Sequence, residues 1–271
     1  MSREEKFWGD ILGKFEDVRE HFDDPHNMGK VAKAGLGEVI RNMANDENIP
    51  YEKRLSFAAQ LYDLRKMKNV SEIVTKALQE IEDESKLDKV DEDWFLDFFD
   101  KATCIRSEMF QNLWAKILSE EVNEPNTISR RLLHNLYLMN KNDAENFLAL
   151  SGFCFYDRYE DLVHPLIFIK GHEAEYARSK MTTEILKELE QFSLIETNYE
   201  SGFAFSNRKY LMYTNHSIVI KADRIPVGNV RLTKDGQRLF KIIDKRNSDQ
   251  ILEYTISRLQ YRNCEVEIER K

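Results

Sequence analysis

The residues with the greatest capacity for binding chemistry form a basic stretch between positions 208 and 246. Ten lysines and arginines lie there against three acidic residues, so the stretch has a net charge of +7. They alternate with tyrosine and apolar residues across predicted strands, so that one face would offer cations to phosphate and rings to bases. The nucleic-acid-binding candidates are Arg208, Lys209, Tyr210, Lys221, Arg224, Arg231, Lys234 and Arg238.

The distribution of charge leaves a second interpretation of this stretch open. Residues 1–125 hold 18 basic and 28 acidic residues, whereas residues 126–271 hold 22 and 20. The helix predicted at 182–196 carries four glutamates against Lys187, which would repel a phosphate backbone. The basic part could therefore dock on the acidic N-terminal part or on a neighbouring subunit instead of on nucleic acid.

Arg158 and His164 have the loose spacing of the Arg and His pair in helical ribonuclease toxins. In such a site the imidazole would act on the ribose hydroxyl and the guanidinium would steady the phosphate. That motif requires a helix, whereas the residues between Tyr159 and Pro165 lead into a predicted strand. A surface salt-bridge pair is the alternative interpretation.

Other groupings of reactive side chains do not form a recognised site. The segment from His21 to His26 contains two histidines and two aspartates, yet it spans a helix end before Pro25 and matches no ligand motif. No nucleophile elbow, Cys-x-x-Cys pair or kinase-like set occurs. We therefore predict no catalytic residue, no cofactor and no metal site.

The first 150 residues are predicted to form an α-helical bundle, because apolar residues recur there at helical spacing. Helices are predicted at 7–22, up to about 44, at 51–68, at 69–81 and from the caps Asp91, Ser107 and Asn142. The helix at 51–68 is expected to bury Leu55, Ala58, Ala59, Tyr62 and Leu64. Trp94 and Trp114 are expected in the core.

From residue 151 the pattern changes to short strands, which predicts a second, α+β domain over 151–271. Strands are expected at 153–156, 166–169, 199–205, 210–222 and 227–232, with helices at 182–195, 233–243 and 248–262. A helix followed by two or three strands and another helix is similar to a winged-helix domain. The fold class predicted for the chain is α+β, mainly α.

Four motifs lie between residues 90 and 133. They are Val90-Asp91-Glu92-Asp93-Trp94, Gln111-Asn112-Leu113-Trp114-Ala115-Lys116-Ile117-Leu118, Glu124-Pro125-Asn126-Thr127-Ile128-Ser129 and Leu132-Leu133. In these motifs the chain resembles an uncharacterised bacterial family, known as domain of unknown function 2806. The family has Gly-Ser-Phe where this chain has Asn126-Thr127-Ile128. The segment 107–147 also resembles the abortive-infection alpha proteins, which implies a role in bacterial resistance to phage.

Three separated cysteines and the lack of a long apolar run predict a cytoplasmic protein without a membrane segment. We expect a non-enzymatic interaction or sensor component, with a protein partner or a homo-oligomer, in an anti-phage system. The alternatives are a nucleic-acid-binding regulator that uses the 208–246 surface and a ribonuclease-type toxin.

Overall fold

A computed structural model describes residues 2–14, 36–169, 171–206 and 208–270. Compactness divides the chain into a first unit, which ends at Leu133, and a second unit, which begins at His134. The first is helical and the second contains the strands, so the predicted α+β, mainly α class is confirmed. No helix in the described ranges is long and apolar enough to cross a bilayer.

The first unit is built from helices and a short 3-10 segment at Glu84–Lys89. The helices are α1 (Arg3–Lys14), α2 (Leu36–Asn45), α3 (Tyr51–Ala77), α4 (Glu92–Ala102), α5 (Glu108–Asn123) and the start of α6 (Arg130–Leu138). The helix predicted for 7–22 is described only to Lys14, and the segment 21–26 lies outside the described residues.

The two helices predicted at 51–68 and 69–81 are one continuous helix, α3. The side-chain amide of Asn69, in the middle of this helix, donates to the carbonyl of Thr103, the residue that follows α4, at 2.7 Å. The polar group is thus satisfied by a partner outside α3, and the helix continues without interruption.

Aromatic side chains of α4 and α5 form the core of the first unit, as predicted. Trp94 is 3% exposed and Trp114 is fully buried. The Phe98 ring lies between them, with centroids 5.3 Å from Trp94 and 5.2 Å from Trp114. Asp91 caps α4 by accepting from the Trp94 N–H at 2.9 Å, so the predicted cap is also confirmed.

The second unit contains the rest of α6 and the helices α7 to α11. Their bounds are α7 (Lys141–Ser151), α8 (Glu173–Arg178), α9 (Thr183–Gln191), α10 (Lys234–Ile242) and α11 (Asp249–Tyr261). The cap expected at Asn142 lies two residues earlier, at Asn140, which forms a capping box with Asp143. Helix α7 therefore belongs to the same compact unit as the strands that follow it.

The strands form one antiparallel sheet in the order β2-β1-β5-β6-β9 and two separate pairs, β3 with β8 and β4 with β7. Their bounds are β1 (Cys154–Asp157), β2 (Leu162–Pro165), β3 (Ile195–Thr197), β4 (Phe203–Ser206), β5 (Lys209–Tyr213), β6 (His216–Lys221), β7 (Arg224–Gly228), β8 (Val230–Leu232) and β9 (Glu265–Arg270). The winged-helix arrangement stays a prediction.

Four strand predictions need correction. Residues 227–232 are not one strand, because β7 ends at Gly228 and β8 begins at Val230 with a different partner strand. Residues 210–222 form the β5–β6 hairpin, which turns at Thr214 with φ +53°. Residues 166–169 lie outside the named strands, and Ile167 makes only an isolated parallel bridge to Gly228. The strand expected at 199–205 begins at Phe203, after a turn that contains Gly202 at φ +64°. The β5–β6 turn consists of Thr214 and Asn215 and lacks the glycine that is usual in such turns, so the sequence pattern did not predict the hairpin.

Candidate functional site

The outer side of α3 carries a line of exposed apolar residues, contrary to the sequence prediction. Tyr51, Leu55 and Tyr62 are 67%, 52% and 54% exposed, and Ala58 is exposed as well. Ala59 is exposed too, so only Leu64 is buried among the five residues that were expected in the core. We call Tyr51, Leu55, Ala58 and Tyr62 the α3 stripe.

The helix geometry explains how α3 has two apolar lines. At about 100° per residue, Tyr51, Leu55, Ala58 and Tyr62 fall within a narrow sector. A second sector contains Phe57, Leu61 and Leu64, whose burial increases from half-buried to buried along the helix. The adjacent helix α2 packs along α3 and exposes Val39 and Met43, which are 53% and 41% exposed.

Several cations of the basic stretch form salt bridges with acids of the second unit. Lys209, at the start of β5, places its ammonium 2.9 Å from the Asp157 carboxylate and also contacts Glu160. Lys221 binds Glu265 and Glu267 across β6 and β9. The remaining pairs are Arg231 with Glu196, Lys241 with Asp161 and Arg246 with Glu145. These acids neutralise much of the charge that the sequence assigned to an external partner.

Arg208 and Tyr210 form a surface patch together with a residue that sequence analysis did not select. The Arg208 guanidinium lies 4.7 Å from the centroid of the Tyr210 ring. The ring of Tyr159, which is 79% exposed, meets Tyr210 edge-on at 5.4 Å. Because Tyr159 lies in the β1–β2 turn, 51 positions before Tyr210, no local pattern could have joined them.

The other candidates lie on separate elements. Arg224 begins β7 and faces Ser206 of β4 in the strand register. Lys234 is exposed at the first position of α10, and Arg238 follows one turn later on that helix. The structure therefore brings Arg208 and Tyr210 together but distributes the remaining residues over several strands and a helix.

His164 lies on β2 beside the Lys209 salt bridges. Its ring meets Phe205 edge-on at 4.6 Å, and its Nε2 is buried without a hydrogen-bond partner among the described residues. Burial lowers the pKa of this imidazole, an effect opposed by the Asp157 carboxylate. Arg158 occupies the exposed turn before β2. Since neither residue lies on a helix, the ribonuclease motif lacks its expected scaffold.

Asp157, Glu160 and His164 are the described group whose ligand atoms lie close enough to hold a metal ion, within 4.8 Å of one another. The Lys209 ammonium already contacts both carboxylates. A cation at this position would have to displace that ammonium. The chemistry of this cluster is therefore that of a buried ion pair.

A cavity of about 540 Å³ opens beside His164. Its walls include the side chains of Phe203, Phe205 and Val227, and Arg231 and Lys234 contribute cations. Arg231 is held by Glu196 and lies over the Phe203 ring at 4.9 Å. Gln237 closes one side through two hydrogen bonds with the Val163 backbone, at 2.6 and 2.8 Å.

The motifs of α4, α5 and α6 lie within the part of the chain that matches a known family. The model described as "Protein of unknown function (DUF2806)" matches residues 53–256. The chain belongs to this family. No curated protein and no solved structure matches it.

In this DUF2806 member, the loop that joins α5 to α6 contains a residue in the left-handed conformation. Asn126 has φ +66°, a conformation that asparagine tolerates better than most residues. The fully buried Glu121 carboxylate accepts the N–H groups of Thr127 and Ile128 at 3.2 and 2.8 Å. Ser129 then caps α6 by accepting from the Leu132 N–H. The loop therefore has a structural role in joining α5 to α6.

Proposed function

We propose that the protein is a non-enzymatic interaction component that binds a partner helix through the α3 stripe. The observation that carries this proposal is the exposure of Tyr51, Leu55 and Tyr62 on one line of α3. Large apolar side chains grouped on a surface are typical of protein interaction sites, whereas single exposed ones are common everywhere. Their spacing is that of a coiled-coil seam, so an apolar helix is the partner that fits.

The state of the reactive groups in the second unit supports an interaction role over catalysis. Lys209 and Arg231 are engaged by carboxylates, and His164 lies against Phe205. A general base or phosphate-binding cation needs an accessible, correctly charged group near its substrate. We place the protein in the cytoplasm on its three separated cysteines and its lack of a long apolar run. Its resemblance to abortive-infection alpha proteins supports a role in an anti-phage system.

Site-specific photo-crosslinking in cells that express the protein from its own gene tests this function. Benzoylphenylalanine at Leu55 should give one dominant protein adduct, because this side chain lies in the middle of the stripe. The matched control is Gln60, which is exposed on the opposite side of the same helix. Equal adduct patterns from both positions, or no adduct from Leu55, would reject the proposal.

Nucleic-acid binding is a second candidate, favoured by the patch of Arg208, Tyr210 and Tyr159. The guanidinium could neutralise a phosphate while the exposed Tyr159 ring stacks on a base of a single strand. The engaged cations Lys209, Lys221 and Arg231 would then order the surface without contacting phosphate.

A salt titration of single-stranded RNA and DNA binding by the full chain distinguishes these contributions. Arg208→Glu should weaken binding and reduce the salt dependence by about one ion, whereas Tyr159→Ala should weaken binding with the salt dependence unchanged. Lys53→Glu, in the first unit, is a control with the same change in net charge. Absence of binding near physiological salt would eliminate this candidate.

A further inference from the structure

The α3 stripe is nearly symmetric about its centre. The spacings between its residues are the same from either end, and the residue types are similar. Its members Tyr51, Leu55, Ala58 and Tyr62 are separated by four, three and four positions. A tyrosine stands at each end and two smaller apolar residues stand between them. A helix that runs antiparallel to α3 and carries the same stripe would therefore match it position for position.

We propose that the partner helix is α3 of a second copy of this chain, packed antiparallel on the stripe; this inference rests on the proposed function above. In this arrangement Tyr51 layers against Tyr62 of the second copy, and Leu55 against its Ala58. Each central layer combines one large and one small side chain, which lets the helices approach closely. The two-fold axis then passes between residues 56 and 57.

The residues beside the stripe are compatible with this register. Written as a heptad, the stripe occupies the a and d positions, and antiparallel helices pair e with e and g with g. Glu52 then lies opposite Ala59 of the second copy, and Arg54 opposite Leu61. No pair of like charges meets at these flanking positions of the described helix, so the copies do not repel each other there.

Each tyrosine ring of the stripe lies beside a cation of its own helix. The Arg54 guanidinium lies 5.8 Å from the Tyr51 centroid, and the Lys66 ammonium lies 4.6 Å from the Tyr62 centroid. These contacts favour ring positions at the two ends of the stripe, and a side chain with fewer positions before association loses less entropy when it binds.

The length of the stripe sets the expected affinity. Residues 51–62 make about three turns, or roughly 17 Å of helix. An interface of this size, even with Val39 and Met43 of α2 at its side, belongs to the small, weak class. We therefore expect a dimer that forms at micromolar concentrations.

Sedimentation equilibrium of the full chain, at about 1 to 200 µM, tests the association. The mass should rise from 32.1 kDa toward twice that value as the concentration increases. Leu55→Arg should remain monomeric at every concentration, while Gln60→Arg, with the same new residue on the opposite side of α3, should dimerise normally. Both variants should fold, since both positions are exposed, and circular dichroism checks this.

Disulfide trapping tests the register. Cys104 is exposed and is replaced by serine in the background, whereas Cys154 and Cys264 are buried and stay. A mixture of Leu55→Cys and Ala58→Cys proteins should give mainly the mixed 55–58 dimer. A product that is mainly 55–55 would overturn the antiparallel arrangement.

A monomer at all concentrations would overturn the second copy as the partner. If Leu55 still formed its adduct with another protein in cells, the proposed interaction function would survive that result. If Leu55 formed no adduct at all, both the proposed interaction function and the proposed second copy would be rejected.

Discussion

Lys209 holds the buried end of β1 through a direct salt bridge to Asp157. The ammonium lies 2.9 Å from the carboxylate, whose side chain is 1% exposed. The carboxylate also accepts the backbone N–H groups of Tyr159 and Glu160 at 2.9 and 3.3 Å. Burial raises the pKa of Asp157, but the hydrogen bonds from Lys209 and the backbone outweigh it and hold this pKa below its usual value.

Removal of one partner of this pair should cost more stability than removal of both. Lys209→Met leaves a buried carboxylate beside Glu160, and we expect a loss of about 3 kcal/mol in the free energy of unfolding. Asp157→Asn combined with Lys209→Met should recover part of that loss. Urea denaturation of the two single variants and the double variant measures the coupling. Lys221→Met, which breaks a more exposed pair, should cost much less stability than Lys209→Met.

His164 should make the protein less stable in mild acid. Because burial lowers the pKa of His164 in the folded state, the unfolded chain binds a proton at higher pH than the folded chain does. Stability therefore falls as the pH drops below the ordinary histidine value of about 6.5 and stops falling below the folded pKa.

His164→Phe should flatten this dependence while it keeps the ring contact with Phe205. The measurement is the urea midpoint at about pH 7.5 and about pH 5 for the natural chain and the variant. His134→Gln, which removes an exposed imidazole, is the control. An identical pH dependence in the natural chain and His164→Phe would show that this side chain does not contribute.

Glu121 should be essential to the α5–α6 connection. One carboxylate oxygen of Glu121 accepts the Asn126 N–H and the other accepts those of Thr127 and Ile128. In Glu121→Gln one oxygen becomes an NH₂ group, which in either orientation faces a backbone N–H. We expect a loss of roughly 1–3 kcal/mol in unfolding free energy, the cost of an unsatisfied buried donor. Thermal denaturation measures it, and Glu253→Gln, at an exposed position of α11, makes the same chemical change harmlessly.

Two helical glycines should respond oppositely to alanine. A Cβ on Gly236 would lie 1.9 Å from the Leu194 carbonyl oxygen, because the start of α10 packs directly on that backbone. Gly236→Ala should therefore destabilise the second unit. At Gly9 no described atom would approach a Cβ within 4 Å, so Gly9→Ala should stabilise α1 by about 0.5–1 kcal/mol. Melting temperatures of the two variants test both signs, and a stabilised Gly236→Ala would contradict the close packing.

The sequence alone determined those features that depend on neighbours along the chain. The apolar lines of α4 and α5, the Asp91 cap and the core positions of Trp94 and Trp114 followed from helical periodicity and local hydrogen bonding. The strand boundaries followed only in part, since the β5–β6 turn at Thr214 has no strong local signal. Local pattern also located the basic residues but not their partners.

Tertiary structure decided the features that depend on residues far apart. Asp157 and Lys209 are 52 positions apart, and Glu196 and Arg231 are 35 apart, so their salt bridges exist only in the folded chain. The α3 stripe shows the same limit in reverse. Helical periodicity predicted Leu55 and Tyr62 as buried, which is wrong, because the sequence pattern of an apolar line is the same whether the line faces its own core or a partner. Only the packing of the other described helices, which leaves this line exposed, shows that it lies on the surface.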